Sequence, residues 1–558
     1  MKTYLTTTAV ALALATSPAL ANSSQTDIDQ ILDGVQEALN SIYAYGGGTD
    51  IDQTATNAGN IISRGSESLD DIFQDVDPMS QLAENYLEDG PGGGWTDVNQ
   101  AATNVLNSLS MDGADSLEDV TQKVDDTAQI ASNSILFDAD SAELVQAAVN
   151  AANIVSADGV ELDNNAYQRI DDTYQEAINN AVGDDGHDDL DDITQAATNV
   201  GNSITMGDVD DIRQKVTDSD QFAENFINIE DDLRAEAFDL NTQDAVNALN
   251  LASIVNGDTV RQKVDDVSQI ARNYIDGASS GDNIEEVAQA ATNVANSLSL
   301  SPEDTSGLEL NVLLQEIDDM EQVAYNEIDY GADISDISQA ATNAANIAAF
   351  QDIEESVDQF YFDSYQSAEN VVFYGSYTAQ VADLTQAATN VINSLSGDSI
   401  ENGSGGWDLL QYTNMFGYGE MQYAGNYVSF GDGGLVNLEQ AATNAANLVS
   451  VEELRGTSRQ FAISLDQISQ NVAEPGYWAW GGDVVGQVDV TEQSATNAAN
   501  ILTAVELPDL SGTTDIVQVS VWGDQFAANS LDTFGGNVSN FAQSAVNVAN
   551  SISLPSAP

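Results

Sequence analysis

The sequence predicts an all-β protein, a repetitive β-solenoid of strand–arc–strand rungs. Three observations carry that reading. A short amide-bearing motif recurs from near the N-terminus to near the C-terminus. Its fixed residues fall at every second position, as on one face of a pleated strand. The surrounding composition, rich in Asn, Ser, Thr and Asp and almost free of Lys, is poor for long helices.

The first residues read as an export signal over 1–21. Lys2 supplies a positive start, Leu5 to Ala15 an apolar stretch, and Ala19-Leu20-Ala21 a small-x-small cleavage site. The mature chain is expected to be 22–558, one continuous array of about 22 Q-x-[AS]-x-N repeats, secreted or held at the cell surface. No later stretch is long and apolar enough to suggest a membrane span.

A long form of the motif, Q-x-A-x-N-x-x-N, starts at Gln53, Gln100, Gln146, Gln195, Gln243, Gln289, Gln339, Gln386, Gln440, Gln493 and Gln543. A shorter relative, Q-x-[AS]-x-N, alternates with it, starting at Gln36, Gln81, Gln129, Gln175, Gln221, Gln269, Gln322, Gln366, Gln422, Gln467 and Gln525. In nine of those eleven short copies another Gln stands seven residues earlier, as at Gln122 and Gln168. Several of these Gln residues lead into paired acids such as Asp125-Asp126, which read as corners.

Two folds compete for this pattern. Leu384, Ala387, Ala388, Val391, Ile392 and Leu395 form a helical stripe, which would give an α-helical repeat solenoid. Against it, a solvated helix face needs only to be polar, whereas the same amide at every copy suggests buried groups satisfied by stacking. The expected ladder residues are Gln53 and Asn57, Gln100 and Asn104, Gln195 and Asn199, Gln289 and Asn293, Gln339 and Asn343, Gln386 and Asn390, and Gln440 and Asn444. Each copy of about 24 residues is read as one rung, so 22 rungs at ~4.8 Å give a rod about 100 Å long.

Composition removes most chemistry. Twelve Lys+Arg against 91 Asp+Glu give a net charge of −79, which repels nucleic acid. Cysteine is absent and His187 is the single histidine, so thiol catalysis and His-rich metal sites fall away. No catalytic residues are expected, and an enzyme, such as a solenoid polysaccharide hydrolase with paired carboxylates, ranks last. The one ligand-like segment is Gly183 to Asp192, where Asp184, Asp185, Asp188 and Asp189 offer hard oxygen donors for weak Ca²⁺ binding; solvated acidic corners that keep copies from aggregating are the preferred reading. Trp407, Trp478, Trp480 and Trp522, with Tyr412, Tyr418, Tyr423 and Tyr427, make the last third aromatic, either as packing or as a contact surface.

A cysteine-free, exported chain whose copies hold Gln, a small residue and Asn at fixed offsets resembles the curlin repeat of bacterial curli fibres. The likeness spans nearly all of 22–558. Ala102 and Ala388 stand where the curlin repeat usually has Gly, the Asn comes one place earlier, and the chain is far more acidic. The resemblance implies strand–arc–strand units on internal Gln/Asn ladders. It also implies a structural role, forming or decorating extracellular fibres (functional amyloid) for adhesion and biofilm matrix. The expected partners are further copies or other fibre subunits, with divalent cations possible. The helical alternative would instead imply a cell-surface binding scaffold.

Overall fold

The computed structural model describes residues 27–64, 69–90, 94–111, 117–137, 141–157, 160, 162–183, 190–229, 238–239, 241–277, 284–300, 309–330, 333–374, 380–400, 409–415, 421–430, 434–475, 488–506, 515–533 and 538–554. Every regular element among them is a strand, and all pair in parallel within one sheet system. The protein is a β-solenoid, and the helical repeat reading is overturned. At Gln386 the residues at i, i+2 and i+4 are fully enclosed while Ala387 and Thr389 face outward, which is the two-residue period of a strand. No described helix is long and apolar enough to cross a membrane.

One turn of the solenoid is twice the expected rung. Gln36 lies against Gln81 and Gln53 against Gln100, so each kind of copy stacks on its own kind, one short and one long copy per turn. The reason lies in the amides: a short copy has no residue to match the second Asn of a long one. The array therefore makes eleven coils rather than 22 rungs, and at ~4.8 Å per coil it rises about 50 Å, half the length expected.

Each coil has two arms. In the third coil the first arm is Leu117–Phe137, and the second is Ser141–Ala151 continued by Ile154–Ala157. The first arm bends at Asp126 (φ 48°), and its counterparts Asp172, Asp218, Asp266 and Asp319 are equally left-handed. Asp adopts this region at low cost, which explains the acid at these five corners. Thr127 closes the same corner by donating to the Asp125 carbonyl at 2.9 Å. From coil five onward the second arm bends at the last Asn of the long motif, as at Asn296 and Asn346 (both φ 53°).

Between the arms, apolar and amide stacks alternate. One end is filled by residues such as Ile135, Phe137 and Leu144, the middle by a column of alanines, the bend by Val124, Leu106 and Ala152, and the far end by Val120, Leu109 and Val155. The alanine column includes Ala83, Ala102, Ala131 and Ala148 from both arms. Small side chains there bring the two layers close enough for amides on either side to reach the opposite backbone.

Candidate functional site

The motif amides form six columns that run the length of the solenoid. The first arm supplies two Gln columns and one Asn column; the second supplies one Gln and two Asn. Gln386 Nε2 donates to Gln339 Oε1 at 2.8 Å and its own Oε1 accepts from Gln440 Nε2 at 2.8 Å. Asn390 Oδ1 accepts from Asn343 Nδ2 at 2.9 Å, and Asn390 Nδ2 donates to Asn444 Oδ1 at 2.8 Å. The remaining N–H groups cross the core: Gln386 to the Tyr427 carbonyl at 3.3 Å and Asn390 to that of Tyr423 at 2.7 Å. Each of these buried amides is thereby satisfied, and leaving one partner unmade costs about 1–3 kcal/mol.

The columns have polarity. Every Gln donates to the preceding coil, as Gln100 to Gln53 and Gln122 to Gln74, whereas every Asn donates to the following coil, as Asn57 to Asn104 and Asn60 to Asn107. Three columns run each way, so their dipoles oppose one another across the coil while each chain of hydrogen bonds reinforces itself along the axis.

All fourteen ladder residues read from the sequence lie in these columns. Four that the seven-residue spacing, or the emphasis on the long copy, left aside belong there too. Gln30 accepts from Gln74 at 2.7 Å, and Gln411 donates to Gln359 at 2.8 Å. Gln30 stands six residues before Gln36 because the first corner, at Gly34, is one residue shorter. Gln411 stands eleven before Gln422, across a longer corner. Asn107 and Asn153, the last residues of long copies, form a further column at 2.9 Å.

At the two ends the columns lose a neighbour. In coil eleven, Gln543 and Asn547 are exposed, whereas their counterparts Gln493 and Asn497 are buried. Among the described residues no side chain donates to Gln543 Oε1, and Asn547 Nδ2 meets only the Gln525 carbonyl at 3.1 Å. In coil one, Gln36 Nε2 meets only the Ala58 carbonyl at 3.2 Å. The last coil thus presents Gln acceptors and Asn donors, and the first coil presents Gln donors and Asn acceptors.

Outside the core the arms differ. Lys123, Arg169, Lys215 and Lys263 stack in one column of the first arm, and Arg169 and Lys263 pair with Asp171, Asp265 and Glu316. Corner acids crowd along the axis. Burial, then the charge of Asp171, pushes Asp125 above the ordinary carboxylate range, and burial with the neighbouring Asp266 does the same to Asp218. Asp184, Asp185, Asp188 and Asp189, like Trp407, Trp478, Trp480 and Tyr418, lie outside the described residues; Trp522 is 78% exposed. Among the described residues no group of three or more carboxylates or His is placed to hold a metal. Comparison with protein-family models, curated proteins and solved structures found no match.

Proposed function

We propose that the chain is a secreted structural subunit that forms or decorates extracellular fibres, of the curlin-like kind, by stacking head to tail. The observation that supports this is the complementarity of the two ends. A second copy set on coil eleven would continue all six amide columns in register and with unchanged polarity: Gln53 Nε2 meets Gln543 Oε1, and Asn547 Nδ2 meets Asn57 Oδ1. Backbone groups at the open strand edges would pair in the same step. The resulting amyloid-like rod would serve adhesion and matrix building, with no catalytic role.

Seeded elongation of the mature chain tests this. Asn547→Asp sets a carboxylate oxygen against an acceptor of the incoming copy while the monomer keeps its fold. Elongation from wild-type seeds should fall at least about tenfold for this variant. Elongation at the wild-type rate would sink the stacking mechanism.

A further inference from the structure

One outer column of the first arm reads Arg272, Tyr325, Glu369, Gly425 and Gln470 over coils six to ten. At its start the protein holds a cation of its own. The Arg272 guanidinium lies 5.0 Å from the ring centroid of Tyr274 and 5.8 Å from that of Tyr325, with the Glu327 carboxylate 3.9 Å away. Two tyrosine faces and one carboxylate form a seat for positive charge.

Two coils further on the same ingredients recur around a trough of about 470 Å³, within the ~300–1,000 Å³ usual for small-molecule sites. Gly425 lines it. A Cβ there would come within 2.6 Å of the Tyr423 ring, so the glycine is what allows that ring to lie flat across the sheet. Tyr427 forms the other wall, its ring 5.3 Å from Phe373 and its hydroxyl donating to Glu474 at 2.8 Å. Burial, with Glu369 and Glu474 respectively, pushes Tyr423 and Tyr427 up to about 12, so both stay neutral. The half-buried Glu369 lines the trough with Tyr325 and Tyr423; burial, then the charge of Glu327, pushes its carboxyl above the ordinary range, and among the described residues no hydrogen-bond donor or cation reaches it.

We propose that this trough binds a compact organic cation, a quaternary ammonium group, seated on the faces of Tyr423 and Tyr427 and paired with the Glu369 carboxylate. The partnerless carboxylate selects a cation over a neutral sugar, which could stack on the same rings but would leave the charge unpaired. The −79 charge of the chain raises the local concentration of any such ligand.

Choline titrated into the unassembled mature chain at fixed ionic strength, read by calorimetry and tyrosine fluorescence, tests the site. One saturable site per chain is expected. The neutral isostere 3,3-dimethylbutan-1-ol should bind about tenfold more weakly, and Glu369→Gln should weaken choline by a similar factor without lowering the melting temperature. Tyr427→Leu, which keeps the bulk and removes the ring, should weaken it as well. Equal binding of the isostere, many equivalent sites unaffected by Glu369→Gln, or binding of a neutral disaccharide in place of choline would each overturn the proposal.

Discussion

Asn497 and Asn547 occupy the same place on the second arm, one coil apart. Asn497 accepts from Asn444 at 3.0 Å, donates to Asn547 at 2.9 Å and is fully buried; Asn547 has a neighbour on one side only and is exposed. The same residue in the same backbone setting is therefore a structural group inside the stack and an unfilled half of a hydrogen bond at its end. In a solenoid built from one repeating unit, the interface between copies need not differ from the interior between coils.

The sharpest break of this comparison is to make one substitution in both places. Asn390→Asp replaces an amide N–H₂ that faces the Tyr423 carbonyl and Asn444 Oδ1 with a second acceptor oxygen, at a fully buried position. A loss of several kcal/mol is expected in thermal or denaturant melts at neutral pH. Asn547→Asp should leave the melt within about 1 kcal/mol, because water can reach the new charge. Equal losses at the two positions would show that burial does not separate them.

Gln386→Leu comes next. It removes one member of a Gln column and leaves Gln339 Oε1 and the axial N–H of Gln440, which donates to Gln386 Oε1, without partners, at about 1–3 kcal/mol. Denaturant midpoints at unchanged m-value are the measurement; a neutral result would mean that the columns contribute no stability.

Acid acts on the outer corners rather than the ladder. Asp125, Asp218 and Asp318 are raised above their ordinary value of 3.8, chiefly by burial and then by acids on adjacent coils. A carboxylate whose pKa is higher folded than unfolded stabilises the fold below its unfolded value, and that contribution is lost as pH rises through the folded value. The melting temperature should therefore rise as pH is lowered from 7 towards about 4, the reverse of ordinary acid denaturation. A monotonic fall over that window would contradict the corner crowding.

The smallest effect is expected at Thr389, whose side chain points outward between the buried Ala388 and Asn390. Thr389→Asp should cost no more than ~0.5 kcal/mol in the same melts.

The inward face was legible because its residues repeat: Gln386, Ala388 and Asn390 read as one side of a strand from spacing alone. The acidic corners were legible because Asp tolerates a positive φ at Asp126 and Asp172. The coil length was not legible, since nearly identical copies 24 residues apart do not reveal whether neighbours or alternate copies stack. The strict alternation of long and short motifs was the available signal, through the need of each Asn107-like residue for its own kind. The trough was hidden for the same reason: Tyr325, Glu369 and Gly425 come together only once the coil length aligns them. Tyr423 and Tyr427 were visible as an aromatic cluster, but the carboxylate beside them was one acid among 91.

Side-chain amide hydrogen exchange, in protein labelled with ¹⁵N at the Gln and Asn amides, tests the ladder most directly. Strong protection is expected for Gln386 and Asn390, and near-solvent exchange for Asn547, the exposed end-coil donor, in the unassembled chain, with Asn547 becoming protected once copies stack. Exchange at one solvent-like rate for all three would contradict the buried ladder and the stacking built on it.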